Sequence, residues 1–396
     1  MRVALFTETY LPHINGVVTH VKILKEGLEQ LGHQVLVVTA DSHTHRHYIE
    51  DGVLHCPALT SKKFYGYSVA KPISRTRLKF VEQFSPDIIH IHNEFGIGFS
   101  GVMCAKLLKV PLVYTLHTMY DDYIYYVAPK LLVNTTTEIS HKYMKFFAVQ
   151  ANAVTGPSKK CEEYFKLTGI NKDVNVIPNA VEMEQFSPKN FDDATKSAIR
   201  VKHGLRADTM VACFVGRLGR EKSVHVLLDY WKEAIKPEDN ITLMIIGEGP
   251  VREELMQQAQ ELGISDMVVF TGKVPHEDLP PYYAISDVYV TASLSDTNSI
   301  SMLEGMCSGL PVLQRTDPLN ADQVRDGDNG FVFDNAEQFG EKLRNIREMT
   351  PEHMAEFKHS VTESIRNSGA RTLAQNTLNV YEKVLCKSGV KDKKND

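Results

Sequence analysis

Met210-Val211-Ala212-Cys213-Phe214-Val215-Gly216-Arg217-Leu218-Gly219-Arg220-Glu221-Lys222 sets the frame for the whole chain. Met210–Val215 is an unbroken apolar run of strand length, and a helical pattern starts at Ser223. Strand, glycine turn and helix in that order form the opening unit of a parallel α/β sheet, since parallel neighbours need a crossover. Glycine lets a backbone approach a ligand, and the start of a helix offers free N–H groups and a positive dipole end. Arg217 and Lys222 add two cations beside that turn. The combination suits a diphosphate on which negative charge builds as a bond breaks. A charged turn in solvent would carry the same letters.

The same alternation runs outward in both directions. Downstream, Thr242–Ile246, Met267–Phe270, Asp287–Thr291, Pro311–Leu313 and Gly330–Phe333 read as strands separated by helical stretches. Upstream, Val3–Phe6, Gln34–Val38, Asp87–Ile91, Leu112–Leu116, Ala153–Thr155 and Val174–Ile177 do the same, with a helix over Val17–Leu31. Two successive doubly wound sheets fit 396 residues better than one giant sheet. Asn179–Asn190, with Pro178 and Pro188 near its ends, is the linker candidate. Ligands of such sheets bind beyond the carboxyl ends of the strands, so two facing edges would make a cleft.

Composition excludes several classes. No run reaches the roughly 18 apolar residues of a membrane span, and the N-terminus does not read as a signal peptide. A cytoplasmic protein is expected. The six cysteines are scattered without a C-x-x-C pair, which predicts buried, reduced thiols. Neither a long basic run nor zinc-finger spacing points to nucleic acid. The net charge of −5 divides unevenly: residues 1–190 carry 20 Lys and Arg against 17 Asp and Glu, the remainder 24 against 32. A near-neutral half joined to an acidic half suggests two different partners. His43, His45 and His47 lie together without a supporting carboxylate or cysteine set, so no metal is expected, and the oligomeric state is unknown from sequence.

Two further motifs follow strands in the second half. Gly247-Glu248-Gly249-Pro250 is a glycine turn that packing alone could explain. Ser293–Gly309 holds Asp296 in a loop and Glu304 inside Ser301–Met306, an otherwise apolar helix. A carboxylate there needs a partner, either a pair of sugar hydroxyls or a structural arginine.

In this order the three motifs resemble the donor domain of glycosyltransferase family 4, and the likeness covers the whole second half. The resemblance implies the GT-B fold, two Rossmann-like doubly wound domains facing a central cleft. Residues 1–180 would face acceptor and membrane, with a C-terminal helix over about 370–387 packing back on them. Residues 190–368 would hold the nucleotide-sugar donor. It implies that Arg217 and Lys222 hold the diphosphate, Glu304 the ribose hydroxyls, and that Val274 lies beside the base. Gly16, Gly216, Gly247, Asn298, Ser299 and Ile300 would complete the donor site, and His117 and Asp296 would join Arg217 and Lys222 in catalysis. Asp296 stands where the family usually has glutamate, Ser299 where it has glycine, and Asn179-Ala180 where it has Asn-Gly.

The first half adds acceptor features. Pro12–Val18 and Ile88–Gly98 follow strands as in the family. Thr115–Tyr126, with His117, Tyr120, Asp121, Tyr123 and Tyr126, is similar to the diacylglycerol glucosyltransferases. Between Leu54 and Val81 there is no acidic residue, whereas Lys62, Lys63, Lys71, Arg75, Arg77 and Lys79 are all basic. Phe64, Tyr65 and Tyr67 interleave with them, a composition that favours an anionic bilayer surface. A solvated helix face would look alike. Lys130–Phe147 offers a second apolar face.

The resemblance therefore implies a retaining hexosyltransferase that uses a UDP-sugar as co-substrate, without metal or other cofactor. Its partners would be UDP-glucose, a diacylglycerol or glycosyl-diacylglycerol acceptor and the inner face of the cell membrane. A soluble transferase acting on a polysaccharide or small metabolite, and a catalytically degenerate nucleotide-binding relative, remain open.

Overall fold

The computed structural model describes residues 1–13, 15–60, 68–122, 133–320 and 322–389. The chain divides into two compact units, Met1–Ala180 with Ala370–Asp396, and Val181–Gly369.

The first unit is built on β1 (Arg2–Thr7), β2 (Gln34–Asp41), β3 (Tyr48–Glu50), β4 (Val53–Thr60), β5 (Ser68–Ala70), β6 (Ile88–Ile91), β7 (Leu112–Thr115), β8 (Ala153–Gly156) and β9 (Val174–Val176). Their order is β3-β4-β2-β1-β6-β7-β8-β9, with β5 paired to β4. Pairing is parallel except where β3 and β5 meet β4. This short antiparallel edge is absent from the sequence expectation. Asp51 and Gly52, both at positive φ, make the tight turn joining β3 to β4.

Helices α1 (Gly16–Gln30), α2 (Arg75–Phe84), α3 (Gly96–Leu108), α4 (Val133–Gln150) and α5 (Lys159–Leu167) belong to the first unit, as does the C-terminal helix Ala370–Lys387. Asn15 caps α1 by accepting from the Val18 amide at 3.0 Å. The C-terminal helix crosses α1 at Gly27, where a Cβ would stand 2.2 Å from the Ala370 carbonyl oxygen. Alternation along β1 feeds two cores, Ala4 and Phe6 on one face, Val3 and Leu5 on the other.

The second unit carries β10 (Met210–Val215), β11 (Ile241–Ile246), β12 (Val268–Gly272), β13 (Val288–Thr291), β14 (Val312–Arg315) and β15 (Gly330–Phe333). These form an all-parallel sheet in the order β12-β11-β10-β13-β14-β15. Helices α6 (Asp193–Lys202), α7 (Val224–Ala234), α8 (Arg252–Glu261), α9 (Pro280–Ala284), α10 (Ile300–Cys307), α11 (Ala336–Arg347) and α12 (Pro351–Ser364) cover it. Ala212 and Phe214 enter one core and Val211 and Cys213 the other, as both faces of a parallel sheet require.

Strand order reverses between β10 and β13 in this sheet, and between β1 and β6 in the first. In doubly wound sheets such a reversal is where ligands bind, beyond the carboxyl ends of the strands.

Cys56, Cys104, Cys161, Cys213 and Cys307 are buried free thiols, and Cys386 is exposed. Among the described residues no helix is long and apolar enough to cross a membrane.

Glu8, just after β1, is buried and accepts from the Ala70 amide at 2.7 Å and the Ile97 amide at 2.6 Å, the latter in the first turn of α3. Burial raises its carboxyl to about 7, opposed by those two amides and by Arg77. With the folded value above the unfolded 4.5, the folded state holds the proton more tightly. Its contribution is complete below pH 4.5 and is lost as pH rises through 7, about 3 kcal/mol in all. Melting curves across that range should therefore fall less steeply with rising pH for Glu8→Gln than for the wild type. An unchanged slope would mean that Glu8 titrates normally.

Candidate functional site

In the second unit, the turns after β10, β11 and β12 are fastened backbone to backbone. Gly216 N donates to Ile246 O at 3.0 Å, Leu218 N to Glu248 O at 2.9 Å, and Gly247 N to Gly272 O at 3.0 Å. Gly247 sits at φ +148°, and a Cβ there would stand 1.9 Å from the Gly216 carbonyl oxygen. Glycine at this position is therefore what lets the two motif turns pack together. The half-buried Arg217 projects from the turn after β10, and Lys222 ends the short 3-10 turn before α7.

Lys222 Nζ meets Asp296 Oδ1 at 2.5 Å, both side chains about one-fifth exposed. This ion pair spans the strand-order switch, joining the loop after β10 to the loop after β13. Nearby, the Tyr289 hydroxyl bonds Ser301 Oγ at 2.9 Å. Burial raises the Tyr289 pKa, opposed by the Ser301 hydrogen bond; Asp296 adds to the rise and Lys222 opposes it, which places both charges in its surroundings.

Glu304 is 3% exposed on α10. Its carboxylate accepts from His276 Nε2 at 2.8 Å and from the Tyr283 hydroxyl at 2.9 Å. The protein partner of this carboxylate is thus a histidine and a tyrosine, not an arginine. His276 lies two residues past Val274, so the Val274 loop and Glu304 converge. Ser299 has a clear local job as N-cap of α10, accepting from the Met302 amide at 3.3 Å. Gln323 clamps the Ser299 backbone from both sides, accepting its N–H at 3.2 Å and donating to its carbonyl at 3.0 Å. Asn298 and Ile300 flank this cap, half-buried.

His276, Tyr283 and Gln323 were not anticipated from sequence. Glu304 alone gave a signal, as a carboxylate in need of a partner, and nothing local names residues 21 to 28 positions away.

In the first unit, His117 follows β7, His92 follows β6 and His20 lies on α1. His92 Nδ1 and His117 Nε2 are 3.1 Å apart, and the His20 ring packs edge-on against His117 at 4.7 Å. His20 Nδ1 bonds Asn179 Oδ1 at 2.9 Å. Burial holds all three imidazoles below the usual histidine range, His20 at about 4. His117 thus lies in a histidine cluster that sequence spacing did not reveal. Among the described residues, these three are the one group of side chains able to converge on a metal ion. Gly16 opens α1 just before them.

Tyr120 donates to Glu94 Oε2 and Tyr114 to Glu94 Oε1. Tyr143 of α4 donates to the Glu94 carbonyl at 2.5 Å. Asp121 accepts from the Tyr164 hydroxyl at 3.0 Å and pairs with His141 Nε2 at 2.8 Å. Tyr120 and Asp121 are therefore tied into α4 and α5 through neighbours. Tyr123, Tyr126, Lys62 and Lys63 lie outside the described residues.

Arg75 is exposed, but Arg77 corrects the expectation of a basic surface face. It is 1% exposed and donates to Cys56 Sγ at 3.3 Å and Lys71 O at 3.0 Å. Arg77 and Val81, one helical turn apart, form the inward stripe of α2. Lys71 and Lys79 remain outward.

Comparisons with known proteins bear on the family and the fold. The family description Glycosyltransferase Family 4 matches residues 14–185, and Glycosyl transferases group 1 matches residues 195–363. The alpha-monoglucosyldiacylglycerol synthase of Acholeplasma laidlawii is 31% identical over 99% of both chains. The enzyme of that name from Streptococcus pneumoniae is 27% identical over 96% of this chain and 85% of its own. Among solved structures, sucrose-phosphate synthase from Thermosynechococcus elongatus has a TM-score of 0.75 at 18% identity, covering 98% of this chain and 99% of its own. Anabaena HepE in complex with UDP-glucose has a TM-score of 0.72 at 17% identity, covering 97% and 100%. Two parallel α/β units, the fastened glycine turns and end-to-end likeness to these transferases lead to one conclusion: the chain is a glycosyltransferase of GT-B fold and belongs to glycosyltransferase family 4.

Proposed function

We propose that the protein transfers glucose from UDP-glucose to diacylglycerol, with retention of the α configuration, at a membrane surface. The observation that carries this reading is the likeness along the full length to the Acholeplasma laidlawii synthase, which extends through both units. Glycosyl-diacylglycerol is the alternative acceptor within the same chemistry.

Arg217 and Lys222 serve the diphosphate, with Asp296 orienting Lys222 through their 2.5 Å pair. Glu304, held by His276 and Tyr283, presents its carboxylate to the ribose hydroxyls. His117 meets the donor sugar. The bond from the sugar's anomeric carbon to the β-phosphate oxygen breaks, and its electron pair stays on that oxygen. The acceptor hydroxyl attacks the same face and passes its proton to the departing phosphate. Two fixed cations stabilise the charge that grows there, and no metal is assigned a role in transfer.

The membrane reading draws support from the first unit alone. Lys71, Arg75 and Lys79 are exposed around Ile73, which is 69% exposed. Helix α4 buries Met144 and Phe147 while leaving Ile139 and Val149 about 60% exposed beside Lys142 and Lys145. Each basic residue near an anionic surface contributes about 1 kcal/mol, weakened by salt. Co-sedimentation with vesicles of anionic lipid tests this. The wild type should bind at low salt and release at high salt. Arg75→Ala with Lys79→Ala should weaken binding by about tenfold or more at unchanged melting temperature. Arg77→Ala should instead lower the melting temperature, because it empties a buried position. Equal vesicle binding by the Arg75/Lys79 double variant would exclude this face from membrane contact.

A further inference from the structure

We propose that His20, His92 and His117 form a binding site for one divalent transition-metal ion of the zinc type. One ligand atom from each of the three lies within 4.8 Å of the others. Two nitrogens bound to a tetrahedral ion at 2.0–2.1 Å stand about 3.3–3.4 Å apart. His92 Nδ1 and His117 Nε2, at 3.1 Å, need to part by only about two to three tenths of an ångström to reach it. The His20 ligand atom lies within 4.8 Å of both, its ring centroid 4.7 Å from that of His117.

Hydrogen bonding separates His20 and His92 from an ordinary buried histidine. His90, next to them in β6, has both nitrogens occupied, Nδ1 by the Tyr381 hydroxyl at 2.7 Å and Nε2 by Thr115 Oγ1 at 2.6 Å. That ring is fully held by protein. His20 is held on one side only, where Nδ1–H donates to Asn179 Oδ1, so its lone pair stays on Nε2. A bond of this kind to the far nitrogen is how ligating histidines are commonly fixed in orientation and tautomer. His92 Nε2 is buried without a hydrogen-bond partner, so this ring is held at Nδ1 alone. With the shared proton on His92 Nδ1, it can move to His92 Nε2 as the ion takes its place, which leaves lone pairs on His92 Nδ1 and His117 Nε2 with no net proton released.

Imidazole donors select zinc, cobalt, nickel or copper over magnesium and calcium. Three neutral ligands leave the ion its full charge and a fourth position for water or an anion. If His117 meets the donor sugar, as proposed above, an ion here would compete with the donor and inhibit transfer. That consequence rests on the functional reading, whereas the binding site itself does not.

Cobalt(II) titration of the full chain, read by visible ligand-field absorption, tests the site without using activity. One equivalent should bind with the bands of a four- or five-coordinate nitrogen site, and zinc should displace it. His92→Asn and His20→Asn should each weaken binding at least tenfold. A His43→Asn/His45→Asn variant, which removes surface imidazoles, should bind as the wild type does. Zinc should also raise the wild-type melting temperature, and this shift should vanish in His92→Asn. Absence of the bands, or binding lost only in the His43/His45 variant, would overturn the proposal. A parallel melting series with UDP reports on the donor site separately, so failure of one does not imply failure of the other.

Discussion

Replacing Arg217 and Lys222 together by alanine should lower kcat/KM by about a thousandfold or more while the protein stays folded. Each cation removed from a site of developing negative charge costs about 10²–10³-fold in rate. The two should not act alike. Lys222 neutralises Asp296 at 2.5 Å, so Lys222→Ala alone leaves that carboxylate repelling an incoming diphosphate. The Lys222 variant should therefore be worse than Arg217→Ala, and adding Asp296→Asn to it should recover part of the loss. Neither arginine nor lysine lies in a core cluster, so circular dichroism and melting temperature should change little. The check is steady-state transfer with varied UDP-glucose beside a melting curve for each variant. Turnover retained in the double variant would remove the diphosphate from this turn.

Gly247→Ala should have the second large effect, on stability and donor binding together. The new Cβ would stand 1.9 Å from the Gly216 carbonyl oxygen, and that atom is backbone that cannot rotate away. The residue would also be held at φ +148°, which costs roughly 1–3 kcal/mol for a non-glycine residue. Relief requires parting the turns fastened by Leu218 N to Glu248 O and Gly247 N to Gly272 O. Those turns carry Arg217, so UDP should no longer raise the melting temperature. Gly263→Ala is the comparison, because it too has positive φ but nothing within 4 Å of a Cβ. It should cost about 1 kcal/mol and leave UDP binding intact. A Gly247 variant as mild as the Gly263 variant would mean that the turns do not need their close approach.

The parallel strands were legible because each is a short apolar run bounded by polar turns. Met210–Val215 and Gly330–Phe333 match residue for residue, and the others lie within a few residues of their observed ends. The antiparallel edge was missed for a physical reason. Strand β4 contains Pro57 and mixes buried with exposed residues at no clean period, so only Asp51-Gly52 marks its hairpin. Site residues divide along the same line. Arg217, Lys222 and Glu304 sit in loops or helices whose spacing draws attention. The groups that hold them come from far along the chain: Asp296 from 74 residues away, His276 from 28, and Asn179 from 159 beyond His20. Strand order brings Asp296 to Lys222 at the switch between β10 and β13, and no local pattern encodes any of these pairings. Arg77 shows the opposite failure, a charge in a basic run that helical geometry turns inward beside Val81.

The mass of the lipid product decides whether this protein transfers a sugar to lipid. Purified protein would receive vesicles containing diacylglycerol, with UDP-glucose, UDP-galactose or GDP-mannose as donor in separate reactions. A single hexose should be added to diacylglycerol from UDP-glucose, joined through an α linkage by proton NMR. No lipid product from UDP-glucose, or a product formed only from UDP-galactose or GDP-mannose, would contradict it.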